Sequence, residues 1–245
     1  MCIRDRYNSM YAGQNGNKMI GYWWLASPSA VDSGDVCMVD GYYATLNTSY
    51  YSRTRGVCPL VSLKSDFEIE ITLPSTIDAE TIAENPGTFY GQKVTNYTAG
   101  GKTYRIFYVD TEGKFGEKNT IYLKADWTAN DTSLTASYTP SGTDLETYKK
   151  LNPSWAAKRG SNTSSWNKNE HAAAWLCSPS KWTTYCDTSK ANYAIGSPTA
   201  EMYVASYNQV PHTIGNYKLG ATYRATDAPG YISVSYTHLR AHETR

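Results

Sequence analysis

The sequence predicts an α+β, β-dominated fold with few short helices and long loops, arranged as modules in tandem. Three observations predict it. Tyrosine is in excess, with 22 Tyr against 4 Phe. Short runs of alternating apolar and polar residues are separated by turn signals. A Trp-Leu-x-Ser-Pro-Ser stretch occurs twice, at residues 24–29 and 175–180. A tyrosine ring is apolar but its hydroxyl needs a partner or water, so a Tyr excess points to half-exposed strands and loops. The chain is 40% hydrophobic and 18% charged, and the remainder is rich in Ser, Thr, Asn and Gly. Such a composition suits β-rich extracellular domains and polar recognition surfaces.

Both ends read as foreign. Residues 1–6 and the tail from 233 onward, with its Thr237-His238-Leu239-Arg240 run, resemble translated sequencing-adaptor read-through and are set aside from fold reasoning. Residues 7–73 then read as the C-terminal part of a first module. It holds Trp24-Leu25-Ala26-Ser27-Pro28-Ser29, Cys37-Met38-Val39 and the run 55–65 around Pro59-Leu60-Val61-Ser62-Leu63. Residues 74–91 read as a linker with one short helix. Phe67-Glu68-Ile69-Glu70-Ile71 alternates as a half-buried strand and Pro74 ends it. Asp78 is placed to cap a helix over 79–84, closed by Asn85-Pro86-Gly87. Residues 92–232 read as a second module lacking its closing strand. Strands are expected over 92–98 and 103–109 around Gly100-Gly101, and over 120–124. A helix is expected over 144–151, with Leu145, Tyr148 and Leu151 on one face and Pro153 as its stop. Long loops fill 128–142 and 160–170.

These residues carry a resemblance. Trp-Leu-x-Ser-Pro-Ser, then Met-x-Val or Met-Tyr-Val, then Gly56-Val57-Cys58-Pro59-Leu60-Val61-Ser62-Leu63-Lys64-Ser65 resemble a domain of unknown function repeated in surface proteins of gut Firmicutes. Residues 82–97, 104–110 and 121–126 resemble the opening of such modules. The closing Gly-Val-x-Pro segment is similar to that of C-type-lectin-like domains. The resemblance implies a C-type-lectin-like fold and an extracellular or cell-surface location. Cys58 departs from the pattern, which has Arg there, so no role of that Arg transfers. The lectin calcium signals are absent, and calcium-dependent sugar binding is not implied.

The candidate ligand-binding residues lie in two tyrosine-bearing loops. In 41–53 they are Tyr42, Tyr43, Asn47, Tyr50, Tyr51 and Arg53. In 203–223 they are Tyr207, Asn208, Asn216 and Tyr217. Loops held by a rigid framework commonly carry binding; the plainer reading of 41–53 is a polar hairpin. Trp24, Pro28, Trp175 and Pro179 are assigned structural roles, a tryptophan filling the core before a Ser-Pro turn. Cys37 with Cys58, and Cys177 with Cys186, are candidate disulfides, with buried free thiols as the alternative.

No metal site or cofactor is expected, because Cys-x-x-Cys is absent and His is scarce. No catalytic residues are nominated. A Ser or Cys nucleophile needs a nearby base, and outside the foreign ends only His171 and His212 offer one. Asp32 with Asp35, or Asp126 with Asp144, are the carboxylate pairs that a hydrolase would use; their spacing does not lift them above loop acids. A net charge of +1 gives no footprint for nucleic acid, and no run is long enough to span a membrane. The expected function is therefore noncatalytic recognition of an extracellular glycan or protein. A structural spacer or stalk is the alternative, and a carboxylate hydrolase a weaker one.

Overall fold

The computed structural model describes residues 14–15, 18–19, 22–40, 45–71, 76–126, 131–140 and 142–210. In chain order its strands are β1 (Gln14–Asn15), β2 (Lys18–Met19), β3 (Tyr22–Pro28), β4 (Asp35–Asp40), β5 (Thr45–Tyr50), β6 (Arg55–Gly56) and β7 (Leu60–Leu63). There follow β8 (Ile69–Glu70), β9 (Thr76–Ile77), β10 (Lys93–Ala99), β11 (Lys102–Asp110), β12 (Thr120–Ala125), β13 (Asp131–Thr132) and β14 (Ala191–Ile195). The helices are α1 (Ala79–Glu84), α2 (Pro86–Phe89), α3 (Gly142–Leu151), α4 (Pro153–Arg159), α5 (Lys168–Leu176) and α6 (Ala200–Gln209). Among the described residues the fold is mixed α+β and strand-rich with short helices, as expected in outline, at 33% strand and 32% helix.

Two five-stranded sheets form the framework, in the orders β10-β11-β12-β7-β14 and β13-β6-β3-β4-β5. All pairings are antiparallel except β3 with β6. Helix α5 packs on β3 and β4, while α6 packs on β11 and β3. Strand β3 is therefore enclosed, and Trp23, Trp24, Leu25 and Ala26 are all fully buried. A strand covered on both faces loses the polar alternation that marks a half-exposed one.

Strand pairing crosses the expected boundary between the two modules. Strand β7 lies between β12 and β14, pairing Val61 with Leu123 on one side and with Ala194 on the other. The Ala26 N–H donates to the Pro198 carbonyl at 2.9 Å. The fully buried ends of this connection include Asn152, whose side-chain oxygen accepts from Ser27 Oγ at 2.5 Å and whose amide donates to the Ala26 carbonyl at 3.0 Å. The segments before and after residue 74 thus share one core. The two Trp-Leu-x-Ser-Pro-Ser stretches also differ. The first is strand β3, whereas the second runs from the last turn of α5 into a 3-10 turn at Pro179–Lys181.

Local expectations meet the structure more closely. Asp78 caps α1 by accepting from the Thr81 N–H at 2.8 Å. Strands β10, β11 and β12 fall where alternation placed them. Pro153 does not simply stop α3. It opens α4, where a first-turn proline sacrifices no hydrogen bond. Among the described residues no helix is long and apolar enough to cross a membrane.

Candidate functional site

The stretch 41–53 is not a loop throughout. Residues 45–50 form β5, the outer strand of its sheet, hydrogen-bonded to β4 in the register Cys37 with Thr48 and Asp35 with Tyr50. Tyr50 therefore stands at the end of an edge strand, beside the turn that joins β3 to β4. That turn is built by Asp32, whose Oδ1 accepts from the Gly34 N–H at 2.8 Å, and by Ser29 Oγ, which accepts from the Asp32 N–H at 3.2 Å. Such side-chain to backbone bonds hold a turn without secondary structure.

Tyr50 is 44% exposed yet firmly held. Its ring lies on Gly34, where an added Cβ would approach Tyr50 Cε2 to 2.3 Å and Asp32 Oδ1 to 3.4 Å. Its other contact is the Tyr51 ring, with centroids 4.6 Å apart. The hydrogen bond with Tyr51, that residue's charge when ionised, and the nearby Asp32 and Asp35 carboxylates push the Tyr50 phenol above its ordinary value. It is protonated at neutral pH. Asp35 is raised as well, by burial first and by Asp32, against the hydrogen bond from Thr48 Oγ1.

Opposite Tyr50 lies the entrance to α5. Asp32, Ser33, Gly34 and Tyr50 on one side, and Trp166, Asn167 and Lys168 on the other, line a cleft of about 400 Å³. Asn169 ties the two sides. Its side-chain amide donates to the carbonyls of Ser29 at 2.9 Å and Asp32 at 2.8 Å, and its N–H to the Ser33 carbonyl at 3.1 Å. Glu170 fixes the same entrance from below. It accepts from the Asn167 N–H in a capping box, from Trp155 Nε1 at 2.8 Å and from Arg159 Nε at 2.6 Å. Trp166 sits in an aromatic cluster with Trp155 at 4.7 Å and Tyr148 at 5.4 Å between centroids. Val31, 69% exposed, extends the turn next to this cleft.

Of the other nominated residues, Asn47 and Arg53 are exposed on β5 and the turn after it. Asn47 Oδ1 accepts from the Thr48 N–H at 2.8 Å. Tyr42, Tyr43, Asn216 and Tyr217 lie outside the described residues. The expected loop 203–223 is corrected in its described part: Tyr207 and Asn208 belong to the last turns of α6, which packs on β11 and β3, away from the edge strand β5. Sequence reasoning missed Trp166, Asn167 and Lys168. The pattern Asn167-x-x-Glu170, a capping-box signature, marked where α5 begins but not what faces it.

Trp24 is fully buried and donates from Nε1 to the Thr132 carbonyl at 2.9 Å. Pro28 pairs with Val36 on the buried strand β3. Trp175 is partly buried and packs edge-on against Trp182, 5.1 Å between centroids, while Pro179 opens the 3-10 turn. Cys37, Cys58, Cys177 and Cys186 are free thiols, so neither expected disulfide is formed. Each has its own surroundings. Cys37 Sγ contacts the Pro28 carbonyl at 3.7 Å, and Cys177 Sγ the Ala26 carbonyl at 3.5 Å. Cys58 donates its N–H to Ser197 Oγ, and Cys186 Sγ lies 3.9 Å from the Ala191 carbonyl.

The carboxylate pairs are engaged. Asp126 pairs with Arg105. Asp144 accepts from Ser180 Oγ at 2.7 Å and Tyr138 Oη at 3.0 Å. His171 Nδ1 lies 2.7 Å from the Tyr138 carbonyl; His212 lies outside the described residues. Among the described residues no group of three His, Cys, Asp or Glu side chains is placed to hold a metal ion. A larger groove of about 690 Å³ runs between α3 and α4, over Tyr193, but contains none of the nominated residues. The chain matches no family model, and comparison with curated proteins and with solved structures returns no match.

Proposed function

We propose that this protein is a noncatalytic recognition module whose ligand is a glycan bound in the cleft beside Tyr50. The observation that carries the reading is a tyrosine ring seated on Gly34 and against Tyr51 while 44% exposed. An exposed tyrosine ordinarily rotates freely. This one is fixed between Gly34 and Tyr51 at the lip of a polar cleft. A fixed aromatic face offers apolar contact at little entropic cost, and the polar groups around it supply orientation. Asp32, Asn167 and Lys168 bring acceptor and donor groups of the kind that sugar hydroxyls need.

The C-type-lectin-like reading of the fold belongs to the same proposal, now for a single interleaved body in place of tandem modules. Its support is the pair of antiparallel-dominated sheets with helices packed against them and a ligand cleft at their loop end. So does a location at the bacterial surface or outside the cell, where a glycan ligand would be met.

The test is direct binding. Purified protein is screened against immobilised neutral glycans, and hits are titrated calorimetrically. Gly34→Ala, which forces the Tyr50 ring from its seat, and Tyr50→Ala are each expected to weaken binding at least tenfold. Retained affinity in both variants, or no glycan binding by the parent protein, overturns the proposal.

A further inference from the structure

We infer that the seat of residues 22–63 on residues 76–210 is an interaction surface for a second copy of this chain, with β7 as the donated strand. The two segments share a core but are built differently. Residues 22–56 pair mostly among themselves, in the order β6-β3-β4-β5, and among the described residues only Asp131 and Thr132 of β13 join that sheet from outside. The other sheet has no such independence. Residues 76–210 supply β10, β11, β12 and β14, and between β12 and β14 they leave a gap one strand wide. Strand β7 fills it. Leu60, Val61 and Ser62 pair with Lys124, Leu123 and Tyr122 on one side, and with Ile195, Ala194 and Tyr193 on the other. Leu60 and Val61 are fully buried there. The sequence reads residues 92–232 as a module without its closing strand, and the strand that closes this sheet comes from before residue 74.

Contacts between the segments do not distinguish which copy supplies them. The pairing of β7 uses backbone groups. The Cys58 N–H donates to Ser197 Oγ at 3.2 Å, the Ala26 N–H to the Pro198 carbonyl at 2.9 Å, and the Trp23 and Tyr203 rings lie 6.4 Å apart between centroids. One covalent stretch, residues 64–75, joins the segments. It places no strand in the seat, because its β8 lies beside β10, at the opposite edge of the sheet from β14. Its length corresponds to about 40 Å when extended, against a radius of gyration of about 16 Å for a body near this size. The link is therefore long enough to hand the segment to a neighbour. Exchange leaves the contacts unchanged, so concentration sets its balance. A tethered segment is present at its own seat at an effective concentration of about 1 mM, and a second copy competes when it is comparably concentrated. An exchanged dimer carries two clefts beside Tyr50. Each takes Asp32, Ser33, Gly34 and Tyr50 from one chain and Trp166, Asn167 and Lys168 from the other.

Two full-length variants test this. Val61→Asp places a carboxylate in the donated strand, and Leu123→Asp places one opposite it in β12; both positions are fully buried. A buried, unpaired carboxylate is strongly destabilising. Each variant alone is expected to lose the parent's melting transition. Refolded together from urea, the first supplies an intact seat and the second an intact segment. The mixture is expected to regain a transition at the parent's Tm, with one chain of each kind in the complex by native mass spectrometry. A mixture that melts as the sum of its parts overturns the inference. Because an aspartate in the core also invites aggregation, the unaltered chain is tested beside them. Unlabelled and isotope-labelled chains are refolded together at about 1 mM and at about 1 µM. Dimers of mixed mass are expected to rival monomers at the higher concentration and to be about a thousandfold rarer, relative to monomers, at the lower. They are expected to persist on dilution, since separation requires unfolding. Monomers alone at the higher concentration, or dimers that part as soon as they are diluted, overturn the inference as well. Neither result touches the glycan reading, because no sugar enters these measurements.

Discussion

Asn152 links segments 125 residues apart through its contact with Ser27, and removing it tests whether the chain is one cooperative body. The side chain is 1% exposed. It accepts from Ser27 Oγ at 2.5 Å and donates to the carbonyls of Ala26 at 3.0 Å and Tyr148 at 3.3 Å. In Asn152→Ala the Ser27 hydroxyl loses its acceptor. Ser27 Oγ also accepts from the Ala200 N–H at 3.0 Å, so the hydroxyl cannot simply turn elsewhere. The Ala26 carbonyl loses its amide donor and keeps the weak thiol donor of Cys177. Two buried groups left poorly satisfied at about 1–3 kcal/mol each give an expected loss of about 3–4 kcal/mol. For a fold near 200 residues that lowers Tm by about 8–12 °C. Ser27→Ala is expected to cost about 2–3 kcal/mol, and the double variant about 1–2 kcal/mol less than the sum, because both changes remove the same bond. The assay is urea denaturation followed by tryptophan fluorescence and by far-ultraviolet circular dichroism. Both probes are expected to report one coincident transition. Two transitions with only one displaced, or additivity within about 0.5 kcal/mol, refute the interleaved core.

Four further outcomes are expected. Asp144 is held below the ordinary carboxylate value of 3.8: burial works against this, but hydrogen bonds from Ser180, Ser178 and Tyr138 outweigh it. A depressed carboxyl stabilises the fold above its unfolded value and loses that contribution as pH falls through the folded one. Asp144→Asn should therefore flatten the loss of stability below about pH 4, as read from acid-titrated melting curves. Lys124 is fully buried, its ammonium donating to the Ala125 carbonyl at 3.1 Å and lying 5.3 Å from the Trp23 ring centroid. Burial lowers its titration from 10.5, so the unfolded chain binds more protons and stability rises with pH across that window. Lys124→Met is expected to be neutral or stabilising by up to ~2 kcal/mol at pH 7, with the alkaline rise abolished in urea titrations. Thiol alkylation without reductant is expected to label the half-buried Cys186 in the native protein, and Cys37, Cys58 and Cys177 only after unfolding, as read by mass spectrometry of peptides. Asn169→Ala should weaken ligand binding several-fold at unchanged Tyr50 and Trp166, measured by the same titration that defines the parent affinity.

What the sequence made legible was mostly local. Tyr104 and Ile106 are buried on either side of the half-exposed Arg105, so alternation survives in that part of β11, while Phe107 to Asp110 are all buried and lose it. The Asp78 cap is likewise a contact across three residues. Strand pairing is not local. Nothing in the short run Leu60-Val61-Ser62-Leu63 says that β12 and β14 are its neighbours. The repeated hexamer misled for a related reason. Before the first copy stand Tyr22 and Trp23, which favour a strand; before the second stand a capping box and Ala172-Ala173-Ala174, which favour a helix. Five shared residues are too few to outweigh those flanks. At the site, the tyrosine-rich stretch pointed to Tyr50, whereas Trp166 and Lys168 entered only through the packing of α5 on β3 and β4.

That packing is also why the cleft is rigid. One wall comes from the β3–β4 turn and the end of β5, the other from the start of a helix more than a hundred residues later in the chain. A loop-on-loop cleft between such distant segments would ordinarily have to order itself on binding, at about 0.5–1.5 kcal/mol for each side chain immobilised. Here the ordering is complete beforehand. Asn169 binds both sides of the turn, Glu170 holds the helix entrance, and Tyr50 is seated on Gly34. Asn169 and Glu170 are buried behind the cleft, and their cost is carried by folding. What is left facing water along the cleft is the Tyr50 ring and the Asp32 and Lys168 charges, a surface placed by those contacts before a ligand arrives.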